Sequence, residues 1–265
     1  MSALTASPAP IDFSQTSQVK MSRLFRVELR KVTDTRAGLW LLVAIVGLTL
    51  LADVIFLFAA KSSELTYENF AAVTATPQGF ILPILGILLV TSEWSQRTGL
   101  VTFTLEPSRG RVVIAKFLAV VAIGLAAVAI ALALGALFNV IGAGVAGGAG
   151  DWDLGFAGAR DFTLLQLIGI IQGLAFGMLF MNSAVAIVLF FVIPTAWSIL
   201  FGLVGFLEDA APWLDLGTAQ QPLFDASHSL SATEWSQLLV TSLIWIVAPL
   251  VAGVIRLLRA ELKSA

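Results

Sequence analysis

The chain has 265 residues, 58% of them hydrophobic and 12% charged, with a formal net charge of −2. Soluble domains carry roughly 25% charged residues; half that share cannot coat a water-facing globule of this length, so the composition is that of a polytopic membrane protein. With no cysteine and one histidine, disulfides, thiolate nucleophiles and zinc knuckles are excluded, and imidazole metal clusters are disfavoured. The near-balanced charge gives no reason to expect a nucleic-acid partner.

Residues 1–20 read as a flexible tail, with Asp12 the sole charge before Lys20. In residues 21–36, Met21, Leu24, Phe25, Leu29 and Val32 recur at helical spacing, and Arg23, Arg26, Arg30 and Lys31 occupy most of the rest. This pattern predicts an amphipathic helix lying along a membrane interface, where anionic lipid attracts each basic side chain by about 1 kcal/mol. Such a helix serves either as a plain anchor or as a lever touched by a cytoplasmic partner. Glu28 favours the lever, because an acid on a basic helix serves no lipid-binding purpose.

A bilayer core of about 30 Å needs about 20 apolar helical residues, and six runs qualify: 38–60, 70–90, 112–141, 162–180, 184–206 and 238–258. They are continuously apolar, unlike the alternating short segments of a membrane barrel. The first run carries Asp53, about 22 Å from Gly38 at 1.5 Å per residue, expected as a partly wetted residue or as part of a substrate exit. The second has Thr74, Thr76, Pro77 and Gln78 in its first part and Pro83 and Gly86 further on. An irregular, interior helix is the expectation, because broken backbone at membrane depth survives only against protein or water.

The segment 93–116 separates the second and third runs. It has apolar residues at Leu100, Val101, Phe103 and Leu105 and a single proline, so it is not a linker by composition. Pro107 stops a preceding helix, and Ser108 is placed to cap the next. A compact, partly apolar knob is expected there. The glycines at 142–150 form a loop to which no chemistry is assigned. In the fourth run Gln166, Gly169, Gly173 and Gly177 share one helix face, suited to close packing within the subunit, to a dimer seam or to lining a pathway. Gln172 lies off that stripe and needs its own partner. Three residues, Met181, Asn182 and Ser183, separate the fourth and fifth runs and predict a tight hairpin. Residues 207–236 are too polar to span, yet Trp213, Leu214, Leu216, Leu223 and Phe224 are too apolar for a solvated loop, so re-entrant or interfacial helices are expected. Ser231 and Glu234 have the spacing of a capping box. His228 reads as a surface residue.

Lysine and arginine concentrate in cytoplasmic loops. With the N-terminus inside, Lys20, Arg23, Arg26, Arg30, Lys31 and Arg36 lie on the inner side. So do Arg97, Arg109, Arg111, Lys116, Arg256, Arg259 and Lys263, leaving only Lys61 and Arg160 of the 15 outside. The outer loops are acidic. Trp40 and Trp94 then fall near the inner interface, and Trp152, Trp213 and Trp235 near the outer one. The first run follows an arginine-rich stretch and reads as a retained signal-anchor, not a cleaved peptide.

The order Glu93, Thr98-Gly99, Leu105, Pro107, Ser108-Arg109 and Ala115-Lys116 resembles the cytoplasmic loop of ABC-2-type exporter permeases, with the Gly-Thr pair of that family inverted. Val27-Glu28-Leu29-Arg30-Lys31 and the C-terminal Trp245 to Leu250 and Arg256 to Glu261 are similar to the family's interface helix and last span. The resemblance extends over essentially the whole chain after Val19. It implies a permease domain over 21–265 in a bacterial plasma membrane, with both termini cytoplasmic. It also implies a coupling loop that meets a separate ABC ATP-binding subunit through Glu93, Arg97, Thr98, Gly99, Leu105 and Arg109. The interface helix would contribute Glu28 and Lys31, and Asp53 and the Gln166 stripe would serve the pathway or helix packing. A second permease subunit, identical or not, would complete the membrane half. The chain has no Gly-x4-Gly-Lys-Ser/Thr loop, so ATP and magnesium are expected on the partner and no cofactor on this chain. A passive membrane anchor for a cytoplasmic complex and an ion-coupled carrier are the alternatives. An integral-membrane enzyme is disfavoured by the lack of clustered His, Asp or Cys.

Overall fold

The computed structural model describes residues 19–95, 102, 104–106, 108–225 and 228–259, and among these there is no strand. Six helical segments are long and apolar enough to cross a membrane. Helix α1 (Met21–Asp34) is followed by α2 (Arg36–Ala59), α3 (Tyr67–Ser95), α4 (Arg109–Val145), α5 (Gly155–Phe180) and α6 (Ser183–Leu203). Two short helices, α7 (Ala211–Leu214) and α8 (Leu216–Gln220), precede the last span. That span runs through α9 (Ala232–Ser242), a π turn (Leu243–Val247) and α10 (Ala248–Arg259). The end of the bundle holding α1 and the start of α4 is called the basic end below, and the opposite one the acidic end.

Local chemistry explains the joints. Only Thr35 separates α1 from α2; its hydroxyl accepts from the Gly38 N–H at 3.1 Å, satisfying one of the donors a helix start leaves open. The chain is so tight there that a Cβ on Gly38 would lie 2.0 Å from the Val32 carbonyl oxygen. The predicted α5–α6 hairpin is present: Met181 takes the left-handed conformation with φ 52°, and the Asn182 side chain accepts from the Val185 N–H at 3.1 Å. The capping box at α9 also forms, with Glu234 accepting from the Ser231 N–H at 2.7 Å and Ser231 Oγ accepting from the Glu234 N–H at 3.3 Å. Ser108 occupies the N-cap position of α4, but its side chain makes no capping bond; its N–H instead donates to Glu106 at 3.3 Å. The π turn ends two residues before Pro249, whose missing N–H an ordinary helical ladder could not use.

The second span differs from expectation in one respect. Helix α3 is continuous through Pro77 and Pro83. It is interior, as expected, packed against α2, α4 and α5. Contact with α5 is close: a Cβ on Gly173 would lie 2.2 Å from the Pro83 carbonyl oxygen, and one on Gly86 2.5 Å from that of Ile170. Leu82, Leu85, Leu89, Val120, Ile170 and Leu174 form the main core between α3, α4 and α5. Helix α4 has 37 residues, about 55 Å at 1.5 Å per residue, and so outruns a hydrocarbon core of about 30 Å.

Helix α1 does not turn its apolar stripe away from the protein. Phe25, Leu29 and Val32 pack against the main core, while Arg23, Arg26 and Arg30 are exposed.

Candidate functional site

At the basic end, four charged side chains from three helices meet, three of them buried and the fourth, Lys31, half-buried. Helical spacing puts Glu28 and Lys31 on one face of α1, one turn apart. The last turn of α3 contributes Glu93, and the second turn of α4 contributes Lys116. Lys116 Nζ lies 2.8 Å from Glu28 Oε2 and 3.1 Å from Glu93 Oε1, and donates also to the Leu89 carbonyl at 3.2 Å. Lys31 Nζ lies 2.6 Å from Glu28 Oε1 and pairs with Glu93 Oε1 as well. Thr102, in the segment joining α3 to α4, donates to the same Glu93 oxygen at 3.2 Å. Glu28, Glu93 and Lys116 are 3%, 4% and 2% exposed.

Two carboxylates and two ammoniums make the group neutral as a whole, which is the condition for keeping such charges out of water. Burial pulls the Lys31 ammonium towards the neutral form, but Glu28 and Glu93 outweigh it and hold its pKa above the ordinary lysine value. The network joins the joint between α3 and α4 to α1 by charge as well as by packing. Around it, Arg109 donates to the Leu257 and Leu258 carbonyls at the end of α10, at 2.7 and 3.3 Å, where a helix leaves acceptors open. Arg111 pairs with the buried Glu106 at 3.2 Å. Arg256 donates to the Leu179 carbonyl at 2.6 Å.

The carboxylates of Glu28 and Glu93 face inward and order the loop and α1. Arg109 is half-buried and turned onto α10. Leu105 is 72% exposed and does face outward. Arg97, Thr98 and Gly99 lie outside the described residues.

A second feature lies towards the acidic end. A cavity of about 500 Å³ opens between α3, α5, α6 and residues 220–224, with Glu68, Thr76, Gln166, Gln172 and Gln220 on otherwise mostly apolar walls. Gln166 reaches the Ala75 carbonyl at 3.4 Å and Gln78 at 3.5 Å. The predicted stripe on α5 is divided. Gln166 and Gly169 line the cavity, whereas Gly173 and Gly177 press against the α3 backbone. Gln172, off the stripe, also lines the cavity.

Asp53 is neither wetted nor on that cavity. It is fully buried between α2 and α3, and Thr74 Oγ1 lies 3.1 and 3.2 Å from its two oxygens. Helix α3 covers it because the Ile45–Thr49–Asp53–Leu57 face of α2 is the one turned inward.

Three polar anchors had no sequence signal beyond residue type. Asp161 is fully buried and paired by Arg160 at 2.7 and 3.0 Å, and Arg160 lies 5.3 Å from the Trp235 ring. Asp215 accepts from Ser198 at 2.9 Å and from the Thr218 N–H and hydroxyl at 2.9 and 2.6 Å, fixing α8 to α6. Trp245 donates its indole N–H to the Leu214 carbonyl at 2.8 Å. His228 pairs with Glu234 at 3.0 Å. No family model matches the chain, and no curated protein matches it either.

Proposed function

We propose that this chain is the membrane subunit of an ATP-driven exporter of the ABC-2 type, set in a bacterial plasma membrane with both ends in the cytoplasm. In this reading the basic end faces the cell interior, where positive charge is retained, and α1 lies at the inner interface with Arg23, Arg26 and Arg30 towards the headgroups. A separate ATP-binding subunit holds ATP and magnesium and docks on the joint between α3 and α4 through Leu105 and Arg97. A second permease subunit completes the pathway.

One observation carries the reading: the four-charge group, buried but for the rim residue Lys31, that fastens α1, the end of α3 and the start of α4 to one another. A push on the joint is passed into two spans at once, because the charges cannot separate without exposing an unpaired ion to a dry interior. The cavity beside Gln166 supports transport over passive anchoring, since a tether needs no chamber.

The test is affinity purification of the full chain from its native membrane in mild detergent. A nucleotide-binding subunit is expected to accompany it, to be lost on Leu105→Asp, and to drive ATP-dependent uptake into inverted vesicles. Recovery of the chain with no ATPase overturns the reading.

A further inference from the structure

Six acids are buried among the described residues: Glu28, Asp53, Glu93, Glu106, Asp161 and Asp215. Five have partners suited to a negative charge. Lysines hold Glu28 and Glu93, Arg111 holds Glu106 and Arg160 holds Asp161. Asp215 receives a backbone N–H and two hydroxyls. Asp53 has Thr74 Oγ1 beside it, and that hydroxyl carries one hydrogen. The Phe70 carbonyl, 2.8 Å from the same Thr74 oxygen, is nearer than either Asp53 oxygen. If Thr74 gives its hydrogen to Phe70, an ionised Asp53 has no donor. If Asp53 carries a proton, all three groups are satisfied in a chain: Asp53 donates to Thr74, and Thr74 donates to Phe70.

The charged and titratable groups of the elements packed on α2 stand elsewhere. Glu28, Lys31, Glu93 and Lys116 belong to the basic end. Tyr67 and Glu68 begin α3, about 10 Å from Thr74 along the axis, and Lys61 lies beyond the end of α2. An uncompensated carboxylate in so dry a place takes up a proton. One turn towards the basic end, a cavity of about 280 Å³, walled mainly by leucine, isoleucine, valine and alanine and not reaching Asp53 itself, includes Thr49 and Gln78. The Thr49 hydroxyl is buried without a hydrogen-bond partner, so the cavity has a polar group free to hold water next to the acid's own helix face.

We propose that Asp53 is a proton-binding site, loaded when α2 lies against α3 as here and emptied to water through the Thr49–Gln78 cavity when the two helices part. The proposal rests on the hydrogen-bond count and not on the exporter reading, so either can fail alone.

Infrared spectroscopy of the purified chain in lipid vesicles tests it. At neutral pH a protonated-carboxyl C=O band is expected. It should shift on ¹³C-aspartate labelling, vanish in Asp53→Asn and move to higher frequency in Thr74→Val, which removes the acceptor. Its exchange in D₂O should be slow. Should Asp53→Asn not fold, the isotope shift and Thr74→Val carry the test. A missing band, a band unchanged by Asp53→Asn, or an aspartate signal that answers to sodium and not to pH overturns the proton assignment. Exchange as fast as that of a surface acid overturns the gating by α2 and α3.

Discussion

Glu93 and Lys116 illustrate how buried charge differs from surface charge. Neutralising Glu93 leaves two ammoniums facing one carboxylate. Glu93→Gln is expected to lower stability by about 3–5 kcal/mol, the range for breaking a buried pair. Glu93→Gln with Lys116→Gln restores neutrality and should cost less than Glu93→Gln alone; denaturant unfolding in detergent micelles measures both. Lys31 adds a pH dependence of defined sign. Its folded pKa is raised, so its stabilisation is complete below the ordinary lysine value of about 10.4 and is lost as pH rises through the folded value. The difference in melting temperature between the wild type and Lys31→Met should therefore be flat through neutral pH and close only in strong alkali.

At the scale of elements, the glycines of α5 fall into two kinds. Gly173→Ala puts a methyl where the Pro83 carbonyl oxygen sits, 2.2 Å away, while a Cβ at Gly169 meets Pro83 Cγ at an ordinary 3.6 Å. Gly173→Ala should cost about 1–3 kcal/mol, as overpacking does, and Gly169→Ala should be neutral or better, because alanine favours a helix. Thermal unfolding of the two variants separates them. At the hairpin, Asn182→Ala removes the cap of α6 and should cost about 0.5–2 kcal/mol in the same assay. These elements also mark how far the sequence could be read. The six spans, the hairpin at Asn182 and the box at Ser231 were legible because each depends on residues within a few positions of one another. The pairing of Glu28 with Lys116, 88 residues apart, was not, because nothing local specifies which face of α1 meets which face of α4. The dryness of Asp53 was not legible for the same reason: distance along α2 gives depth, but only the packing of α3 decides whether that depth is wet. The Ser108 cap was legible as a position and not as a bond, since the Arg111 N–H that a capping hydroxyl would receive goes to the Ser108 carbonyl at 3.0 Å.

At the scale of the whole molecule, the proposed orientation makes a direct prediction. Ser62 and Ser95 are both exposed and lie at opposite ends of the bundle. A membrane-impermeant thiol reagent applied to intact cells should label Ser62→Cys and spare Ser95→Cys until the membrane is opened; the reverse pattern inverts the topology. The charge group has a consequence of timing as well. Of the four, Glu28 and Lys31 are made first, Glu93 comes some 60 positions later, and Lys116 later still. A chain still growing on the ribosome therefore holds α1 without its final counter-ion until the fourth helix has begun, and a nascent chain halted before Lys116 should leave α1 open to protease where the finished protein protects it.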